Sequence, residues 1–160
     1  MFPPRTRCLI VACGNTLRSD DGVGPWLAEW AERQFAAEPA VRVIVRQQWT
    51  PDLALDLAQC DSAVFVDCAI DVPAGEVRID NVAPLPSQGG VATHHTNAAE
   101  LLALCQELYA ALPRSALLLT IGAGSIEMGE AFSPAVSASL CEARDLLAAT
   151  VRRLLSEQAG

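Results

Sequence analysis

The strongest constraint on this chain is an alternation: short runs of strand character are separated by stretches whose apolar residues recur at helical spacing. Residues 8–12, 41–46, 62–67 and 116–121 are the strand-like runs. Helical stretches follow them, and strands joined through helices return parallel to one another. Residues 62–67 read Ser-Ala-Val-Phe-Val-Asp. Apolar residues sit at consecutive positions rather than alternate ones, which marks a parallel strand buried on both faces at the centre of a sheet. Residues 76–80, Glu-Val-Arg-Ile-Asp, do alternate and follow with no helix between. They read as an edge strand, antiparallel to its neighbour. The order β-α-β-α-β-β-α-β-α predicts an α/β fold: a three-layer α/β/α sandwich, mainly parallel, with one antiparallel strand, as a single domain over residues 1–160.

The helices carry their own signals. In the first, Val23, Leu27 and Trp30/Ala31 share one face, and Glu29, Glu32 and Arg33 the other. Thr50 is placed to cap a short helix with Pro51 at its first position and Leu53 and Leu57 inward. Asn97 is placed to cap a helix over 98–112 with a stripe of Leu101, Leu104/Cys105, Leu108 and Leu112. Ser133-Pro134 opens the last helix, whose core face is Val136, Leu140, Ala143, Leu147, Val151 and Leu154.

Composition narrows the function classes. The chain has 160 residues, 51% of them hydrophobic and 19% charged, which suits one ordered domain rather than a disordered segment. The net charge is −8, and all eleven basic residues are arginine. The sole adjacent basic pair is Arg152-Arg153, so nucleic acid and anionic membranes are disfavoured as partners. No apolar run approaches the ~20 residues that cross a bilayer. The first residues lack the plan of a signal peptide, so a cytoplasmic location is expected. None of the six cysteines forms a Cys-x-x-Cys pair. Cys8, Cys105 and Cys141 fall in apolar patterns and read as core residues. Cys13 and Cys68 stand at strand ends, where a buried thiol is expected over a reactive one.

The chemistry gathers at one edge of the predicted sheet. The loop from Cys13 to Pro25 holds Asn15, the adjacent acids Asp20 and Asp21, and the glycines Gly14, Gly22 and Gly24. It links the first strand to the first helix, on the side where open α/β sheets bind ligands. One acid is placed to cap the helix and meet its dipole; the other is surplus to capping. The glycines are not in phosphate-loop or dinucleotide spacing, and no lysine follows. Asp67 ends the central strand at the same edge. The two histidines of the chain, His94 and His95, stand just before Asn97. Two carboxylates and an imidazole suit a divalent cation such as zinc or nickel, and suit general acid–base work equally. Gly-x-Ser-x-Gly and His-Glu-x-x-His are both absent from the sequence.

The segment Asn15-Thr16-Leu17-Arg18-Ser19-Asp20-Asp21-Gly22-Val23-Gly24 resembles the N-terminal signature of the hydrogenase maturation proteases. The resemblance continues through Val64-Phe65-Val66-Asp67, through Thr93-His94 ahead of Leu101-Leu102-Ala103-Leu104, and through Ser125 to Pro134, nearly the whole chain in order. It implies an α/β/α sandwich. It implies an endopeptidase that removes a C-terminal extension from the large-subunit precursor of a nickel–iron hydrogenase once nickel is in place. Three residues would contact that nickel: Asp21, Asp67 and His94, with His95 as the alternative to His94. Asn15 would support the loop or donate to an oxyanion, and Asp20 would act as a helix cap rather than a ligand. The nickel would belong to the substrate, so no tightly bound cofactor is expected, and a monomer is expected. Three positions depart from the family pattern. Ala12 stands for its first glycine, Ala123 for a common proline, and Gln47-Gln48-Trp49-Thr50-Pro51 for an Asp-Gly-Gly-Thr segment whose Asp has been proposed as catalytic. Rival readings are a zinc-dependent hydrolase of another substrate, a non-enzymatic nickel chaperone, and a nucleotide-binding domain; the paired acids and the missing lysine argue against the last.

Overall fold

A computed structural model describes residues 5–86 and 96–158. Its elements follow the expected order. β1 (Thr6–Cys13) leads through a single 3-10 turn, Ser19–Gly22, into α1 (Val23–Gln34). Next come β2 (Val41–Arg46), α2 (Leu53–Ala58), β3 (Cys60–Ala69) and β4 (Val77–Asn81). The chain ends with α3 (Ala98–Tyr109), β5 (Ser115–Gly122) and α4 (Pro134–Gln158). The sheet order is β2-β1-β3-β5-β4, so β3 is central. β1 pairs parallel with β2 and β3, and β3 pairs parallel with β5. β4 closes one edge antiparallel to β5, with Ile79 beside Leu119.

The continuous apolar run of β3 is explained by what covers each face. Val64 and Val66 point to the side packed by Leu27 of α1 and by Leu147 and Val151 of α4. Ala63 and Phe65 point to the other side, against Leu53 and Leu57 of α2 and Leu101 and Cys105 of α3. Each buried leucine or phenylalanine removes enough apolar area from water to stabilise the fold by about 1.5–3 kcal/mol. With helices on both faces, Ser62 to Val66 are fully buried, and exposure returns only over the last three residues of the strand, Asp67 to Ala69, and at Asp61 near its start. Among the described residues no helix is long and apolar enough to cross a membrane.

Three local expectations are corrected. Thr50 does not cap α2, because its hydroxyl donates to the Asp52 carboxylate and the helix begins only at Leu53. α3 stops at Tyr109 rather than 112: Ala110 turns left-handed at φ 49°, and Pro113 disfavours helix at the residue before it. Leu108 is therefore exposed instead of completing the stripe. Cys141 is exposed too, since it lies one position past Leu140 and so faces away from the sheet. The Asn97 cap is present, with Asn97 Oδ1 accepting the Glu100 N–H at 2.9 Å. Ser133 Oγ accepts the Val136 N–H at the start of α4.

Candidate active site

A cleft of about 360 Å³ opens at the carboxyl ends of β1, β2 and β3, on the side covered by α2 and α3. The β1–α1 loop supplies Asn15, Arg18 and Asp21 to its wall. The β2–α2 loop supplies Gln47, Gln48 and Trp49, and β3 supplies Asp67. Thr96 and Asn97 border it before α3, and Ile126 of the β5–α4 loop completes the rim. Asp21 and Asp67, 46 positions apart in sequence, thus face one cavity. His94 and His95, the third expected contributors, lie outside the described residues. Among the described residues no three His, Cys, Asp or Glu side chains are grouped to hold a metal ion.

The two acids of the first loop have different roles. Asp20 is fully buried and does not cap α1, whose N-cap position is Gly22 with no side-chain cap. Its Oδ2 accepts the N–H of Gly124 at 2.7 Å, the N–H of Ser125 at 2.9 Å and the hydroxyl of Ser133 at 2.7 Å. Its Oδ1 accepts the Ser133 N–H at 2.7 Å. Burial alone would raise this carboxyl, but the hydrogen bonds from Ser133, Ser125 and Gly124 outweigh it and hold the acid below the usual carboxylate range. Asp20 therefore ties the β1–α1 loop to the β5–α4 loop. The same two loops are joined by Ser19 N–H to Gly129 O at 2.7 Å, Gly129 N–H to Leu17 O at 2.9 Å, and the Ser19 hydroxyl to Glu127 O at 2.7 Å. Sequence reasoning missed this seam; no local pattern marks it.

Asp21 is only half-buried and lines the cleft. Its Oδ2 accepts the Asn15 N–H at 2.8 Å. The Asn15 side chain turns back onto its own loop, with Oδ1 accepting the Leu17 N–H at 2.9 Å. Of the two roles open to Asn15, the structure displays the loop-orienting one.

Backbone packing fixes where Asp21 sits. Gly14 has φ +151°, and a Cβ there would lie 1.9 Å from the Asp21 carbonyl oxygen. A Cβ on Gly24 would lie 2.2 Å from the Cys13 carbonyl, so the end of β1 and the start of α1 meet without room for any side chain. Gly14→Ala should therefore destabilise the protein by about 2 kcal/mol and displace Asp21 from the cleft. Urea unfolding at wild-type midpoint would show that the close approach is not strained by the added carbon.

Toward the end of β3, Asp67 Oδ1 accepts the Cys68 N–H at 2.8 Å and the Cys13 thiol at 3.3 Å. Burial, followed by the Asp67 charge and hydrogen bond and by Asp21, drives the Cys13 thiol far above its ordinary range. Burial and then Asp21 and Asp67 push Cys68 up to about 12. Both thiols stay protonated at neutral pH, so neither serves as a nucleophile. Trp49 is buried and packs edge-on to Phe65, with ring centroids 5.2 Å apart, which anchors its part of the cleft lining to the core. Its Nε1 has no hydrogen-bond partner among the described residues. The β2–α2 loop presents Gln47 and Gln48 here, which are neutral and exposed. The arrangement offers carboxylate oxygens to a cation or an electrophilic centre, flanked by neutral hydrogen-bonding groups.

No protein-family model matches the chain, and no curated protein matches it. Solved structures do. Hydrogenase maturating endopeptidase HybD from E. coli aligns with a TM-score of 0.73 at 18% identity, over 92% of this chain and 93% of that one. The NiFe hydrogenase maturation protease HycI from Thermococcus kodakarensis aligns with a TM-score of 0.66 at 25% identity, over 92% of this chain and 93% of that one. HybD from Thermococcus kodakarensis, also a NiFe hydrogenase maturation protease, gives 0.63 at 21%, over 90% and 98%. The chain thus resembles hydrogenase maturation endopeptidases in fold over nine-tenths of its length and theirs.

Proposed function

We propose that this protein is an endopeptidase that removes the C-terminal extension of a nickel–iron hydrogenase large-subunit precursor after nickel has been inserted. The observation that carries the reading is the meeting of Asp21 and Asp67 in one cleft. They come from the two motifs that resemble the maturation proteases, and the fold is the one those endopeptidases share.

In this reading the nickel arrives with the substrate. Asp21 and Asp67 offer carboxylate oxygens, and His94 an imidazole nitrogen, to a metal that is also held by the precursor's own thiolates. Recognition through the metal sets the geometry: a loaded precursor is anchored with its scissile bond in the cleft, and an empty one is not. Both cysteines at the site are held protonated, which disfavours them as nucleophiles and leaves water as the attacking group of this reading. A metal held by Asp21, Asp67 and His94 would supply Lewis-acid polarisation to a peptide carbonyl brought to it.

The test is incubation of the purified protein with nickel-loaded and nickel-free precursor, followed by intact mass measurement. Loss of a C-terminal peptide from the loaded form alone is the expected result. Cleavage of both forms would keep the protease and remove metal recognition. Binding of nickel with cleavage of neither would favour a chaperone. Metal held tightly by the purified protein, with hydrolysis of unrelated substrates, would favour a zinc-type hydrolase.

A further inference from the structure

We propose that Cys13 is a positioning residue for Asp67, a role that rests on the protease reading above. β1 and β3 run in parallel register with Ala12 beside Val66, so the next pair sets Cys13 beside Asp67 at the rim of the cleft. The Cys13 side chain is 8% exposed and packs in the same apolar layer as Leu9, Val11 and Trp49. Within that layer its thiol donates to Asp67 Oδ1 at 3.3 Å, and the Cys68 N–H donates to the same oxygen at 2.8 Å. Donors from two strands thus meet on one oxygen of the carboxylate. The N–H restrains the carboxylate from its own strand, and the thiol adds a restraint from the neighbouring one.

The choice of a thiol has a physical consequence. S–H is a weak donor on a long C–S bond. It orients the carboxylate while drawing off little of the negative charge that a cationic substrate centre needs. Groups that orient a metal-contacting carboxylate in this way typically change metal affinity by roughly 10–100-fold when removed.

Packing and positioning predict opposite orders for two variants. Cys13→Val places an apolar side chain of similar size in an apolar layer and loses the donor. Cys13→Ser keeps a donor and buries a more polar group. If Cys13 only filled space, valine would be the better replacement in both stability and activity. The positioning role predicts that valine holds stability at or above serine but is the poorer enzyme. For Cys13→Val, the KM for nickel-loaded precursor should rise about tenfold, with kcat within about twofold, and preference for loaded over nickel-free precursor should fall by a similar factor. Cys13→Ser should recover most of that loss.

The experiment measures KM, kcat and loaded-to-empty preference for wild type and both variants, alongside urea unfolding. It adds the infrared S–H stretch of Cys13, isolated by difference against Cys13→Ser, in the wild-type and Asp67→Ala backgrounds. The S–H band should shift to that of an unbonded thiol when Asp67 is removed. Wild-type KM and preference in Cys13→Val, serine below valine in activity, or an S–H band indifferent to Asp67 would each overturn the assignment. A wild-type protein that cleaves neither precursor would instead overturn the protease reading, and the inference with it; an S–H band that still responds to Asp67 would separate that failure from absence of the hydrogen bond.

Discussion

Asp20→Asn should destabilise the protein by about 3 kcal/mol although the two side chains have nearly the same shape. The carboxylate takes three donors on Oδ2 and one on Oδ1. An asparagine has one acceptor oxygen. With that oxygen in the Oδ2 position, its NH2 faces the Ser133 N–H; in the other orientation it faces Gly124, Ser125 and Ser133 together. Either way a buried donor meets a donor. The readout is the urea midpoint at unchanged denaturant slope. A shift below about 0.5 kcal/mol would mean that the loops hold together without this acid. The loss should also be visible in acid. Hydrogen bonds hold the folded-state carboxyl of Asp20 below its unfolded value of roughly 3.9. Its contribution is therefore present above that unfolded value and disappears as pH falls through the lower folded one. The variant should lack this part of the acid limb, so the gap between wild type and Asp20→Asn should narrow as pH drops below about 4.

The neighbouring substitution should do the reverse. Asp21→Asn is expected to leave stability within about 0.5 kcal/mol of wild type, because the side chain is half-buried and its donor among the described residues, the Asn15 N–H, still finds an amide oxygen. Processing of a nickel-loaded precursor should fall at least about a hundredfold, the scale seen when a charge-stabilising group is removed from an active site. The amide cannot bring the negative charge that a metal or a developing positive centre requires. Single-turnover cleavage measured by mass decides it. A folded Asp21→Asn protein that cuts at the wild-type rate would remove Asp21 from the site. Two adjacent aspartates, one failing in stability and the other in chemistry, would be a direct functional image of their different surroundings.

Sequence alone determined the architecture. The unbroken apolar run of 63–66 placed β3 at the centre, because only a strand covered on both faces can dispense with polar alternation. The alternation of 76–80 and the missing helix before it placed β4 antiparallel at an edge. Asp67 at the site edge, Asn97 as a cap and Ser133-Pro134 as a helix start follow from equally local patterns. Such patterns are legible because strand and helix periods and caps involve residues within a turn or two of one another. What the tertiary structure decided involves residues far apart. Asp20 and Asp21 look alike in the sequence, and one became a buried tie because N–H groups more than 100 positions away close around it. The Cys13–Asp67 bond depends on the register of two strands 54 residues apart. Cys141 read as core and is exposed because a single step around a helix turns a side chain from sheet to solvent. Local periodicity chose the elements; the satisfaction of buried polar groups, which only the assembled loops could provide, chose which acid stayed free to work.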